Sequence, residues 1–367
     1  MRILVCPDSF TGTMTAAEAA AAIGRGWSQA APGDQVVERP LSDGGPGFLD
    51  DIRAGRGGTR HPLTVPGPLG EPVTADLLVD DAATAWVESA LAAGLHLVAP
   101  QQRDPGLTTS RGVGELMGGA LDLGARRIVV GVGGTGTCDG GAGLLAGLGA
   151  RGTPDGLLDG GGAGLVDLAA LDLAPALART GGVVLEVATD VDVPLLGARG
   201  AARGFAPQKG ASASQVDQLE SAMAHWAVRL GRTAAGRSPA VALGAGAGGG
   251  MGAALIRLGA RRVPGIETVL DAVALGEQVA RCELVITGEG SLDWQSLRGK
   301  VVSGVAAAAL EVGAPVLVIA GRVELSRRDW VAAGIAGAFA APAQPGEPAT
   351  AALERVAARL AGTWSRR

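Results

Sequence analysis

Short β-branched apolar runs alternate with Ala/Leu-rich stretches of helical spacing along nearly the whole chain. That alternation is the signature of an α/β fold built on a mainly parallel sheet. Strands are expected at residues 2–7, 35–41, 86–90, 127–132, 183–189, 283–287 and 316–320. Thr15-Ala-Ala-Glu18 reads as a capping box, and Ala16, Ala19, Ala20, Ile23 and Trp27 follow at the spacing of one helix face. The Ala-rich stretch 303–311 and the last residues, 349–367, read as helices. Most strands run into a turn rich in Gly or Asp. Open α/β sheets bind ligands just beyond the carboxyl ends of their strands, so chemistry is to be sought in those turns.

Composition narrows the function. The 367 residues suffice for a large core and two domains. A hydrophobic fraction of 47% with 18% charged residues is globular rather than disordered. Net charge is -5, with basic residues scattered rather than striped, so no electrostatic footprint for nucleic acid exists. The opening apolar run is too short for a signal peptide, and no uninterrupted apolar window of about 18 residues occurs. Cys6, Cys138 and Cys282 are far apart and have no metal-binding spacing. A cytoplasmic enzyme is the simplest expectation. Segments 55–70, 152–164 and 232–250 are Gly-rich. The first suggests a crossing between domains and the second a hairpin-like excursion.

Five strand-end loops could carry chemistry. They are 7–13, containing Asp8, Ser9 and Thr11; 41–47, containing Asp43; 131–143, containing Gly133, Gly134, Thr135, Gly136, Thr137 and Asp139; 188–192, with Asp190 and Asp192, and Lys209 downstream; and 287–300, with Glu289, Ser291, Asp293 and Lys300. Glycine lets backbone N–H groups approach a phosphate. Carboxylates hold Mg2+. Phosphoryl transfer needs positioning and charge neutralisation more than covalent chemistry. His61, His96 and His225 lie outside these loops, so a histidine-based triad is not expected. Each loop also has a bland reading. Asp-Gly-Gly is commonly a turn, Asp190 and Asp192 could be caps, Lys209 and Lys300 could be solvated, and Cys138 is most simply a small buried residue.

Gly-x-Gly-x-x-Gly occurs at Gly131, Gly133 and Gly136, and again at Gly244, Gly246 and Gly249. The acidic residue expected about 20 residues after a dinucleotide fingerprint is not evident, which weakens a nicotinamide oxidoreductase reading. No Gly-x4-Gly-Lys-Ser/Thr sequence exists, so a P-loop kinase is excluded.

Taken together and in order, Asp8-Ser9-Phe10 with Gly12, Asp43-Gly44-Gly45, Gly133 through Gly141, Ala188 through Asp192, Pro207-Gln208-Lys209-Gly210-Ala211, and Gly288-Glu289-Gly290 with Leu292-Asp293, Gln295-Ser296 and Arg298-Gly299-Lys300 resemble the bacterial glycerate kinase family. The resemblance runs nearly from end to end. It implies a two-domain α/β protein, with a Rossmann/flavodoxin-like parallel sheet domain made from 1–62 plus 265–367 and an α/β domain, 63–264, inserted into it. It implies ATP and Mg2+ as cofactors, a small-molecule substrate, a site in a cleft between domains and transfer of the γ-phosphate to a hydroxyl of glycerate, usually at the 2-position. Nucleic acid and membrane are not expected partners, and a homodimer is compatible.

On the resemblance, Asp190, Lys209 and Asp43 are the expected catalytic residues. Asp8, Ser9, Thr11, Asp43, Arg111, Ser291 and Asp293 are expected to bind the acceptor. Gly133, Gly134, Thr135, Gly136, Thr137, Asp139, Gly246, Gly248 and Gly249 are expected to bind the nucleotide, and Asp190, Asp192 and Glu289 the metal. Departures bear on the acceptor. Thr11 stands where the family usually has Lys, Ser291 where it has Arg, Pro46 where it has Glu, and Cys138 and Val193 where it has Asn; a Tyr is common where Arg111 stands. Losing two cations should weaken carboxylate binding. Glycerate kinase with Arg111 or Arg322 as substitute cations, a kinase of a cyclitol or sugar-like compound, and a silent ATP-binding relative are the readings left open.

Overall fold

The computed structural model describes residues 1–10, 12–297, 299–344 and 346–365; Thr11 and Arg298 lie outside them. In chain order the strands are β1 Arg2–Val5, β2 Gln35–Glu38, β3 Thr59–Pro66, β4 Pro72–Val79, β5 Thr84–Glu88, β6 Arg127–Gly131, β7 Arg151–Thr153, β8 Ala170–Asp172, β9 Val184–Ala188, β10 Arg261–Val263, β11 Leu284–Leu292, β12 Val316–Val323 and β13 Gly337–Ala340. The chain divides into two compact units. One comprises Met1–Asp43, Asp50–Gly55 and Gly265–Arg367, the other Gly44–Leu49 and Arg56–Pro264.

The first unit carries an all-parallel sheet of order β13-β12-β11-β1-β2. Counted within the unit this is 2-1-3-4-5, the flavodoxin-like order, and the direction of winding reverses between β1 and β11. The strands are near-continuous apolar runs because both sheet faces are covered. On one face Ile3, Val5, Ile286 and Ile319 pack against Ile23 and Trp27 of the helix Ala16–Ala30 and Leu353 and Val356 of the helix Ala349–Trp364. The capping box of the first helix forms as expected, with Thr15 and Glu18 satisfying each other's orphan groups.

The second unit carries a mixed sheet of order β10-β9-β6-β5-β4-β3, parallel from β10 to β5 and antiparallel beyond. The chain passes from the first unit to the second at the start of the 55–70 segment, and the rest of that segment holds the whole of β3. Pro62 and Pro66 hid that strand, and they are tolerated because β3 is the sheet edge. The 152–164 excursion is bracketed by the two-stranded ladder β7–β8. The structure corrects the extent of β11, expected to stop at Thr287. It continues to Leu292, because β12 extends alongside it as far as Val323 and offers backbone partners. Gly288, Glu289 and Ser291 therefore belong to a strand and not to a loop.

Candidate functional site

Three carboxylates gather at the carboxyl end of the first unit's sheet, at its switch point. The ladder between β1 and β11 continues past Val5, with Cys6 N donating to Ile286 O at 2.8 Å and Asp8 N to Gly288 O at 2.8 Å. On the other side Leu41 N donates to Pro7 O at 3.0 Å, which delivers Asp43 two residues later. Asp8 lies well above the usual carboxylate range. Removal from bulk water is the main cause and the Asp43 charge the next; Glu289 adds to it, and two donors from Ser9 only partly oppose it. Glu289 is 6% exposed, and its Oε1 is buried without a hydrogen-bond partner. Burial pushes it up to about 7; Ser296 and Lys300 pull it down, and Asp293 and Asp43 add their repulsion. Burial and like charge thus hold Asp8 and Glu289 above their ordinary range, which is a common condition of a ligand site.

The second unit places its glycine loop after β6. Most of that loop faces inward. Thr135, Gly136 and Thr137 are buried, and Gly134 is exposed. Lys209, itself buried, donates Nζ to Thr137 O at 2.8 Å and to Thr135 Oγ1 at 3.3 Å. Burial lowers its pKa against the pull of Cys138 and Asp139. Lys209 thus acts through the loop and does not present its ammonium outward. Asp139 is fully buried. It accepts from Ser110 N at 2.8 Å, Ser110 Oγ at 2.7 Å, Gly141 N at 3.0 Å and Gly143 N at 3.2 Å. Oδ2 accepts three of these bonds and Oδ1 one, so Asp139 is tied to the turn it shapes.

The second glycine loop packs on the first. Gly140 N donates to Gly249 O at 3.0 Å. Gly249 has φ +69°, and a Cβ there would lie 1.9 Å from Thr137 O. Gly246 is held against Pro194 O in the same way, a Cβ being 2.4 Å from it. Backbone packing therefore accounts for glycine at both positions, and Gly248 is the partly exposed one.

Other expected residues fall in distinct settings. Asp190 is half-buried and Asp192 exposed in the turn after β9, where Val191 N donates to Thr189 Oγ1. Arg111 is engaged on both sides, with Nε on Glu115 at 2.8 Å and Nη1 on Asp159 at 2.7 Å. Ser291 Oγ lies 3.3 Å from Glu324 Oε1. Asp293 Oδ1 caps Gln295 N at 2.7 Å. The sequence reading missed Ser110, whose hydroxyl accepts from Leu144 N at 3.0 Å while donating to Asp139. Its only signal is the Thr-Thr-Ser run before a helical stretch. Among the described residues no three His, Cys, Asp or Glu side chains form a ready-made metal cage.

The family model described as "Glycerate kinase family" matches residues 3–366. The chain belongs to the glycerate kinase family. Glycerate kinase of Bacillus subtilis is 43% identical over 332 residues, 88% of this chain and 85% of that protein. Glycerate 2-kinase of Escherichia coli is 43% identical over 328 residues, again 88% and 85%. The crystal structure assigned to glycerate kinase 2 of Salmonella typhimurium LT2 superposes with a TM-score of 0.76 at 37% identity, covering 99% of this chain and 98% of that one. The α/β class and the enzyme class follow: a glycerate kinase family member is a phosphotransferase with an alcohol group as acceptor, and the nicotinamide oxidoreductase reading is set aside. Among the described residues no helix is long and apolar enough to cross a membrane.

Proposed function

We propose that the chain transfers the γ-phosphate of ATP to a hydroxyl of glycerate, giving 2-phosphoglycerate. The observation that carries this reading is the buried carboxyl of Glu289 at the sheet's switch point, in the field of Asp8 and Asp43, with an unpartnered Oε1 suited to a substrate hydroxyl. The relatives' substrate supports glycerate as the acceptor.

The turn after β9 offers oxygen donors of the hard kind, Asp190 and Asp192, which suits Mg2+. When bound there, Mg2+ would supply neutralisation of phosphate charge. Asp190 is the proposed catalytic carboxylate, orienting or deprotonating the attacking hydroxyl. Lys209 is a positioning residue that fixes Thr135 and Thr137. Asp8 and Asp43, with Asp293 beyond them, are assigned to the acceptor's hydroxyls. The two compact units are taken as the two functional domains.

ADP release with ATP, Mg2+ and a panel of D-glycerate, L-glycerate, sugar acids and neutral polyols tests the substrate, and phosphorus NMR locates the ester. Turnover on D-glycerate above about 10⁴ per molar per second is expected; turnover confined to neutral polyols refutes the reading. Asp190→Asn should lower kcat roughly 10²–10⁴-fold. A loss within about threefold removes Asp190 from the catalytic role.

A further inference from the structure

The glycine loop after β6 has three of its carbonyls held by groups of the second unit. Gly134 O accepts from Leu95 N at 3.0 Å, Gly136 O from Thr108 Oγ1 at 3.0 Å and Thr137 O from Lys209 Nζ at 2.8 Å. A trans peptide sets each carbonyl antiparallel to the N–H that follows it, so a held carbonyl fixes where the next donor points. The N–H of Thr135 therefore points away from Leu95, next to exposed Gly134. Among the described residues the N–H groups of Gly134 and Thr135 enter no hydrogen bond. Successive backbone donors left open on a glycine-rich loop suit a phosphate. Of the three groups that hold the carbonyls, Leu95 acts through its main chain and Lys209 is already assigned. Thr108 is the third.

Thr108 is 1% exposed and lies in the segment 104–110, just before the helix Arg111–Asp122. That segment is moulded against the loop. Cys138 N donates to Pro105 O at 3.2 Å, and Ser110 holds Asp139. The segment is itself tied down, Asp104 accepting from Gly106 N at 2.9 Å and from Gln215 Nε2 at 2.8 Å. The Thr108 hydroxyl has one proton to give. Pro105 O lies 3.3 Å from it but is already served by Cys138 N, which leaves the proton for Gly136 O. We propose that Thr108 is a positioning residue for nucleotide binding. Its hydroxyl fixes the Gly136 carbonyl, and with it the loop conformation that presents the Gly134 and Thr135 N–H groups to the phosphates of ATP. This rests on the reading of that loop as the phosphate site, and gives Lys209 a neutral partner on the same loop.

Hydrogen exchange of the wild type with and without ADP and Mg2+ tests the underlying reading first. Nucleotide should slow exchange within residues 133–137; no protection there removes the loop from the phosphate site, and the role of Thr108 falls with it. Thr108→Val and Thr108→Ser, assayed by ADP release, then test Thr108 itself. The valine keeps the shape and removes the donor, and should raise KM for ATP about 5–50-fold, the scale of one unmatched buried carbonyl. KM for glycerate should change less than about threefold, a split that a general loss of folded protein does not produce. Titration calorimetry with ADP and Mg2+ should show the same loss of affinity with no acceptor present. Thr108→Ser, which keeps the hydroxyl, should stay within about twofold of wild type. A protected loop in wild type with an unchanged ATP KM in Thr108→Val overturns the role of Thr108 and leaves the phosphate site standing. Equal losses in the Val and Ser variants overturn it too, since packing of the methyl would then be the cause. Where Thr108→Val fails to fold, Thr108→Cys, a weak donor of similar size, takes its place with the same expected rise.

Discussion

Asp139 and Glu289 look alike in sequence. Each is an acid set among glycines near the carboxyl end of a buried parallel strand. Their physical states are opposite. Asp139 is surrounded by donors, and Ser110, Gly141 and Gly143 together give it four hydrogen bonds. Glu289 has an oxygen with none and three acidic neighbours acting on it or coupled to it. Burial raises both from their ordinary values. What separates a structural carboxylate from a candidate functional one is thus the accounting of donors around it, since a native fold seldom leaves a buried acceptor unmade without a use. The contrast can be broken by substitution.

The largest effect is expected at Asp139. Asp139→Asn turns one acceptor oxygen into a donor facing Ser110, Gly141 or Gly143 N–H groups. Leaving buried donors unmatched costs about 1–3 kcal/mol each, so a loss of about 3–5 kcal/mol and a fall in Tm of roughly 10 °C are expected. Calorimetry decides this. If Asp139→Asn melts within about 2 °C of wild type while nucleotide affinity falls, Asp139 is a ligand and the contrast with Glu289 fails.

This contrast marks how far the sequence could be read. The alternation of strands and helices was legible because the parallel strands are apolar on both faces. The capping box at Thr15 was legible because all its partners are local. Long-range partners were not. Asp139 depends on Ser110, 29 residues away, and Arg111 on Asp159, 48 residues away. No local pattern announces either pairing. The length of β11 was hidden for the same reason, since Gly288 and Gly290 read as a turn until β12 supplies the ladder.

Glu289 gives the next test, and its sign is fixed by linkage. Its folded-state pKa, about 7, is above its ordinary value of 4.5, so the folded protein holds a proton that the unfolded chain releases. Stability attributable to this group is present below about pH 4.5 and lost as pH rises to about 7. Glu289→Gln removes that loss. Chemical denaturation should find the variant close to wild type at pH 5 and more stable at pH 8, by on the order of 1–3 kcal/mol, with catalysis impaired. Stability gained at the expense of activity is the mark of a functional group held against its preference. A variant less stable than wild type at pH 8 would mean that Glu289 has donors and belongs with Asp139.

The smallest effect bounds the contrast from a third position. Glu18 is a carboxylate at a helix start, fully exposed, and held below its ordinary range by the Thr15 backbone N–H and hydroxyl. It is engaged like Asp139, but water competes for every bond. Thr15→Ala removes the cap hydroxyl that Glu18 N donates to at 3.2 Å. A lost exposed cap should lower Tm by about 2–4 °C and leave kcat and KM unchanged. Both acids accept backbone donors near a helix start, but Asp139 has four donors shielded from water and Glu18 two exposed to it. A Tm loss as large as that of Asp139→Asn would show that the absence of water does not set the energy of these turns.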